Sequence, residues 1–144
     1  RDADAHARQK CRDLAGLNGV ADRVEVGGKM THADFDICLR HHSVVICDIE
    51  GGEGALLDPA KAHGLYAADI LVECHPHREN KIVATLTDRF APTHNVQRID
   101  RTLDVDGLPK WMDGSSDHDR LLALWKWRST PTPWLWMTAK PATQ

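Results

Sequence analysis

The chain has 144 residues, with 18 Lys plus Arg against 21 Asp plus Glu for a formal charge of −3, and 42% of it is hydrophobic. That balance excludes a collagenous, low-complexity or disordered chain, and the length predicts one domain over residues 1–144 around a single core. A slightly acidic chain carries no basic stripe for a phosphate backbone, so the sequence points away from nucleic acid as a partner.

No run approaches the roughly 20 apolar residues that span a bilayer, and the N-terminus lacks the charged-then-apolar layout of a signal peptide. The expectation is a soluble, cytoplasmic protein with no membrane partner. Cys11, Cys38, Cys47 and Cys74 form no CxxC pair, and Cys47 and Cys74 lie in apolar runs. They read as reduced thiols packed as small hydrophobes.

From His6 to Leu17, Ala7, Cys11, Leu14 and Ala15 recur at helical spacing, with Arg8, Lys10, Arg12 and Asp13 on the other face. Asn18-Gly19 is the pair that closes such a helix. Arg23-Val24-Glu25-Val26 alternates as a short strand ending on Gly27-Gly28, and Ala33 to Arg40 gives a weaker helix signal. Val44-Val45-Ile46-Cys47 is apolar without alternation, which predicts a strand covered on both faces. Ile70-Leu71-Val72 repeats the pattern. Between them Glu53 to Leu65 reads as helical, broken in two at Pro59, and Glu79 to Phe90 is a further helix. Strands alternating with helices predict βαβ units and a mainly parallel sheet.

Beyond them, His94 to Arg101 reads as a strand. Ser116-Asp117-His118-Asp119 is a capping box before Leu121, Leu122, Leu124 and Trp125. Trp134-Leu135-Trp136-Met137 is a last strand, entered through Pro131 and Pro133. All five tryptophans (Trp111, Trp125, Trp127, Trp134 and Trp136) follow position 110. They are expected to pack the last strand and its helix, to form a dimer contact, or to line an apolar acceptor pocket.

In an open parallel sheet, ligands bind beyond the carboxyl ends of the strands. Here those ends carry Asp48-Ile49-Glu50-Gly51-Gly52-Glu53, Glu73-Cys74-His75-Pro76-His77 and Gly27-Gly28-Lys29, while Asp2 and Asp4 precede the first helix. This concentration of acids, glycines and histidines marks one rim as a ligand site. A solvated turn that caps the next helix is the competing reading of Asp48, Glu50 and Glu53.

Asp48-Ile49-Glu50-Gly51-Gly52-Glu53 with Leu56-Leu57, followed by Ile70-Leu71-Val72-Glu73-Cys74-His75-Pro76, resembles the fourth- and fifth-strand motifs of FkbM-type, S-adenosylmethionine-dependent class I methyltransferases. Asp2-Ala3-Asp4 with Arg8, Asn18-Gly19-Val20 and Arg23-Val24 are similar to that family's second strand end and following helix. The resemblance covers roughly the first 100 residues and fades over 101–144. It implies a Rossmann-like α/β sheet, mainly parallel with an antiparallel C-terminal strand. It also implies that Asp2 accepts hydrogen bonds from the cofactor ribose, that Gly28 and Lys29 line the adenine pocket, and that Asp48 and Glu50 face the methionine end and the acceptor. Glu73 and His75 would stand beside them, with His75 as general base for an acceptor hydroxyl.

The family's first motif, an acid followed by a Gly-x-Gly-x-Gly turn, is absent, and Gly51-Gly52-Glu53-Gly54 follows the wrong strand. The expectation is therefore a methyltransferase domain whose N-terminal strands are missing. It would act on a small metabolite or sugar hydroxyl, bind S-adenosylmethionine weakly or not at all by itself, and pair as a homodimer if strands are swapped. The alternative is a non-catalytic remnant serving as an oligomerisation or binding module. Asp48, Glu73 and His75 could also hold a divalent metal, being oxygen ligands with one imidazole, although no spacing marks a metal motif. His41, His42, His63, His77 and Cys74 lack zinc-ligand spacing.

Overall fold

A computed structural model describes residues 1–75, 81–125 and 132–141. Among them lie four strands, β1 (Ser43–Cys47), β2 (Ala68–Glu73), β3 (His94–Ile99) and β4 (Trp134–Ala139), in one mixed sheet of order β1-β2-β4-β3. β1 and β2 run parallel with Cys47 opposite Val72, and β4 is antiparallel to both β2 and β3. The chain is thus α/β, with the antiparallel C-terminal strand that its sequence predicts. β1, β2 and β3 run in one direction, and β4, inserted between β2 and β3, runs against them, so one of the three ladders is parallel and two are antiparallel.

Local chemistry sets the helices. α1 (Ala5–Leu17) starts where the Asp4 carboxylate accepts the backbone N–H groups of His6 and Ala7, at 3.0 and 3.3 Å, and ends at Asn18-Gly19 with Gly19 at φ 64°. The Ala33 to Arg40 signal becomes a 3₁₀ helix, His32–Leu39, capped by Thr31 and Asp34. Pro59 divides the next helical stretch into α2 (Glu53–Leu56) and a 3₁₀ turn, His63–Ala67. α3 (Ile82–Phe90) follows β2, and α4 (Asp117–Leu124) begins at Ser116, whose hydroxyl accepts Asp119 N–H at 3.2 Å.

The core lies on one face of the sheet. Ile70, Val72, Leu135 and Met137 point into it and meet Phe35, Cys38, Leu57, Leu65, Leu86 and Phe90, all buried. Burial of this set is the main stabilising term, at roughly 25 cal/mol per Å² of apolar area removed from water. The two 3₁₀ helices pack so closely that a Cβ at Gly64 would lie 1.8 Å from the Phe35 carbonyl oxygen. Arg89 of α3 ties down the end of α2, donating to the Gly54 and Leu57 carbonyls at 2.6 and 2.7 Å.

Two expectations are corrected. β1 is not covered on both faces: Val44 is 53% and Ile46 70% exposed, because the helical segments of the core stack against the opposite face. Arg23 to Val26 is not a strand; it follows a 3₁₀ turn at Ala21–Arg23 and runs extended without a ladder, since a strand needs a paired neighbour to satisfy its backbone. Its nearest equivalent is the Asp2 N–H donating to Gly27 O at 3.1 Å. Of the described tryptophans, Trp134 and Trp136 are half-buried on β4, and Trp111 and Trp125 are exposed. Pro76, His77, Trp127, Pro131 and the first residues of the Glu79 to Phe90 helix lie outside the described residues. Among the described residues no helix is long and apolar enough to cross a membrane.

Candidate functional site

Parallel pairing of β1 with β2 carries the two strand ends out of the sheet side by side. With Cys47 opposite Val72, the next residues, Asp48 and Glu73, become neighbours, and His75 lies two residues beyond Glu73 on the same side of an extended chain. One donor atom from each of Asp48, Glu73 and His75 falls within 4.8 Å of the others.

The turn after β1 is shaped for this meeting. Glu50 adopts φ 56° and Gly51 φ 108°, and a left-handed glutamate is a strained choice held by its surroundings. This turn brings Glu50 Oε2 to 3.4 Å from His75 Nε2, with Asp48 Oδ1 at 3.6 Å from the same nitrogen. On the other side of the ring, His75 Nδ1 donates to Glu53 Oε1 at 2.6 Å, and Gly51 N–H donates to that oxygen at 3.0 Å. Glu53 is 1% and His75 7% exposed, so their hydrogen bond is sheltered from water and fixes both the tautomer and the plane of the imidazole. Glu73 is equally buried, and its Oε1 accepts the Thr132 hydroxyl at 2.6 Å.

Beneath this cluster, burial pushes the Cys47 thiol up to about 12 and the Cys74 thiol up to about 11, with nearby Glu53 adding to both. Burial thus favours the neutral thiol at both positions, where the cysteines pack as small apolar groups. All four cysteines are unbridged, with Cys11 exposed and the other three buried.

Asp48 and Glu50 also border a cavity of about 780 Å³ that reaches across to Asp2, Lys29, Met30 and Leu56. That volume lies in the range of small-molecule sites, and its wall mixes acids, a lysine and apolar side chains. Asp2 Oδ1 accepts the Asp4 N–H at 2.7 Å, and Arg8 donates to the carbonyls of Asp2 and Ala3 at 2.8 Å each, which holds the stretch before α1 against the cavity.

Of the residues singled out from sequence, Asp2, Lys29, Asp48 and Glu50 line this one cavity. His75 stands in contact with Asp48 and Glu50. Gly28 is exposed beside Lys29 and is not one of the lining residues. The sequence reading left Glu53 as part of a turn, whereas it is the buried partner of His75; the signal was the hydrophobic Leu56-Leu57 pair just after it, which draws α2 inward. Thr132 carries no local signal, because it reaches Glu73 across 59 positions of sequence. Comparison with known proteins found no match: no family model, no curated protein and no solved structure matches the chain.

Proposed function

We propose that this chain carries the acceptor side of an S-adenosylmethionine-dependent methyl-transfer site acting on a hydroxyl of a small metabolite or sugar. The observation that carries the reading is the single cavity that joins Asp2 and Lys29 to Asp48 and Glu50. Its chemistry fits the group: a carboxylate at one end for ribose hydroxyls, apolar Met30 and Leu56 between, and carboxylates at the other end for a sulfonium cation. The resemblance of the two strand-end motifs, and the antiparallel placement of β4, support the same reading.

When bound, the cofactor supplies an electrophilic methyl group, and the remaining work falls to the chain. Asp48 and Glu50 orient the acceptor at the cavity rim, where alignment is the main requirement of methyl transfer. His75, with its Nδ1 proton held by Glu53, would present Nε2 to take the acceptor's hydroxyl proton when the methyl group is transferred. The products are the methyl ether and the neutral thioether.

The test is an NMR titration with S-adenosylhomocysteine, which reads binding into the millimolar range. Shifts confined to Asp2, Lys29 and the turn after Asp48, and lost in Asp2→Ala, are expected. Absence of any shift at the cavity with millimolar ligand would overturn the reading.

A second reading, a non-catalytic oligomerisation module, is favoured by the exposed Val44 and Ile46 on edge strand β1. Concentration-dependent sedimentation abolished by Ile46→Lys, together with no cofactor binding, would support it instead.

A further inference from the structure

We infer that Asp48, Glu73 and His75 form a binding site for one divalent transition-metal cation of the Mn²⁺ type. The sheet register creates the site. Two parallel strands end level, so Asp48 and Glu73 leave adjacent ends, and the period-two alternation of extended backbone returns His75 to the same side. Donor atoms of an octahedrally bound small cation lie about 3 Å apart when adjacent and about 4.2 Å apart when opposite, at metal–ligand distances near 2.1 Å. The three donors here lie within 4.8 Å of one another, so a small inward movement brings them to that spacing. Asp48 can move, being on the exposed rim of the cluster.

The second line of evidence is the support behind the donors. A metal-binding histidine characteristically gives its other ring N–H to a carboxylate, and His75 Nδ1 does so to Glu53 at 2.6 Å in a buried setting. This turns Nε2 toward Asp48 and Glu50, the direction in which a cation would be met by carboxylate oxygen. The Thr132 hydroxyl holds the Glu73 carboxylate in the same manner. Two of the three donor residues are more than nine-tenths buried, as are both supporting residues.

The donor set chooses the metal. Two carboxylates and one imidazole are too nitrogen-rich for Ca²⁺, and the three donors include no soft sulfur for Cu⁺; Mn²⁺ or Fe²⁺ fits best, with Mg²⁺ weaker. Asp48 also lines the 780 Å³ cavity, so the cation would stand where it can polarise an oxygen of a ligand there. The metal site does not depend on the methyl-transfer reading, and while a cation holds Nε2, His75 cannot also take the acceptor's proton, because Nδ1 is already engaged by Glu53.

Mn²⁺ titrated into the whole chain, followed by loss of the free-ion electron paramagnetic resonance signal, tests it without any cofactor. The expected result is one equivalent bound at submillimolar concentration. Affinity should fall at least about tenfold in Asp48→Asn and in Glu53→Gln, the latter touching only the support of His75. Asp48 is on the exposed rim, so its variant keeps the fold, checked by an unchanged melting transition, even if His75→Ala does not. Absence of binding at millimolar Mn²⁺, or equal binding by Asp48→Asn, would overturn the site and leave the cofactor titration to stand by itself.

Discussion

Glu53 shows how one side chain can organise a rim. It lies on a four-residue helix too short to be held by its own hydrogen bonds, yet it is almost fully buried and joins the strained turn at Gly51 to His75. Deleting a hydrogen-bonded partner of this kind costs about 1.5–3 kcal/mol. Glu53→Ala should lose stability on that scale in urea denaturation, with Glu53→Gln losing less because the amide oxygen can still accept from His75. The thiols offer a second check at this scale. Since burial keeps Cys47 and Cys74 protonated and Cys38 is also enclosed, only Cys11 should react rapidly with a thiol reagent at pH 8 in the native chain. Four equivalents should react after denaturation, and more than one fast equivalent in the native state would contradict the packing described.

At the scale of elements, the layer over the sheet is held by close backbone approach more than by long helices. Gly64→Ala places a methyl group on the Phe35 carbonyl, so the two 3₁₀ helices must separate. The expected loss is about 1–3 kcal/mol, read as a lowered melting temperature. Much of this layer was legible in the sequence: α1 and its Asn18-Gly19 end, the break at Pro59 and the Ser116 cap are local codes, written in residues a few positions apart. The rest was not local. The strand expected at Arg23 to Val26 has the right alternation, but pairing is decided by a neighbour that its own residues do not specify. The candidate site divides the same way. Asp48, Glu50 and His75 stand out by residue type at strand ends, while Thr132 and Arg89 enter through contacts spanning 59, 35 and 32 positions.

For the whole molecule, the decisive feature is the sheet order, and it dictates when the fold can form. β4, the last of the described strands in chain order, is also the one that joins β2 to β3. During synthesis from the N-terminus, β2 and β3 can each be made and yet have no ladder between them until residues 134–139 arrive. The sheet is thus completed by long-range closure, which delays folding and leaves the backbone edges of β2 and β3 unpaired in the meantime. In hydrogen exchange, a chain ending before Trp134 should lose protection at the amides of β2 and β3 that pair with β4, while those of β2 that pair with β1 depend on that ladder alone; a chain ending after Ala139 should keep them all. Until β4 is made, the nascent chain accordingly carries unpaired strand edges, the stage at which a chaperone would have something to shield.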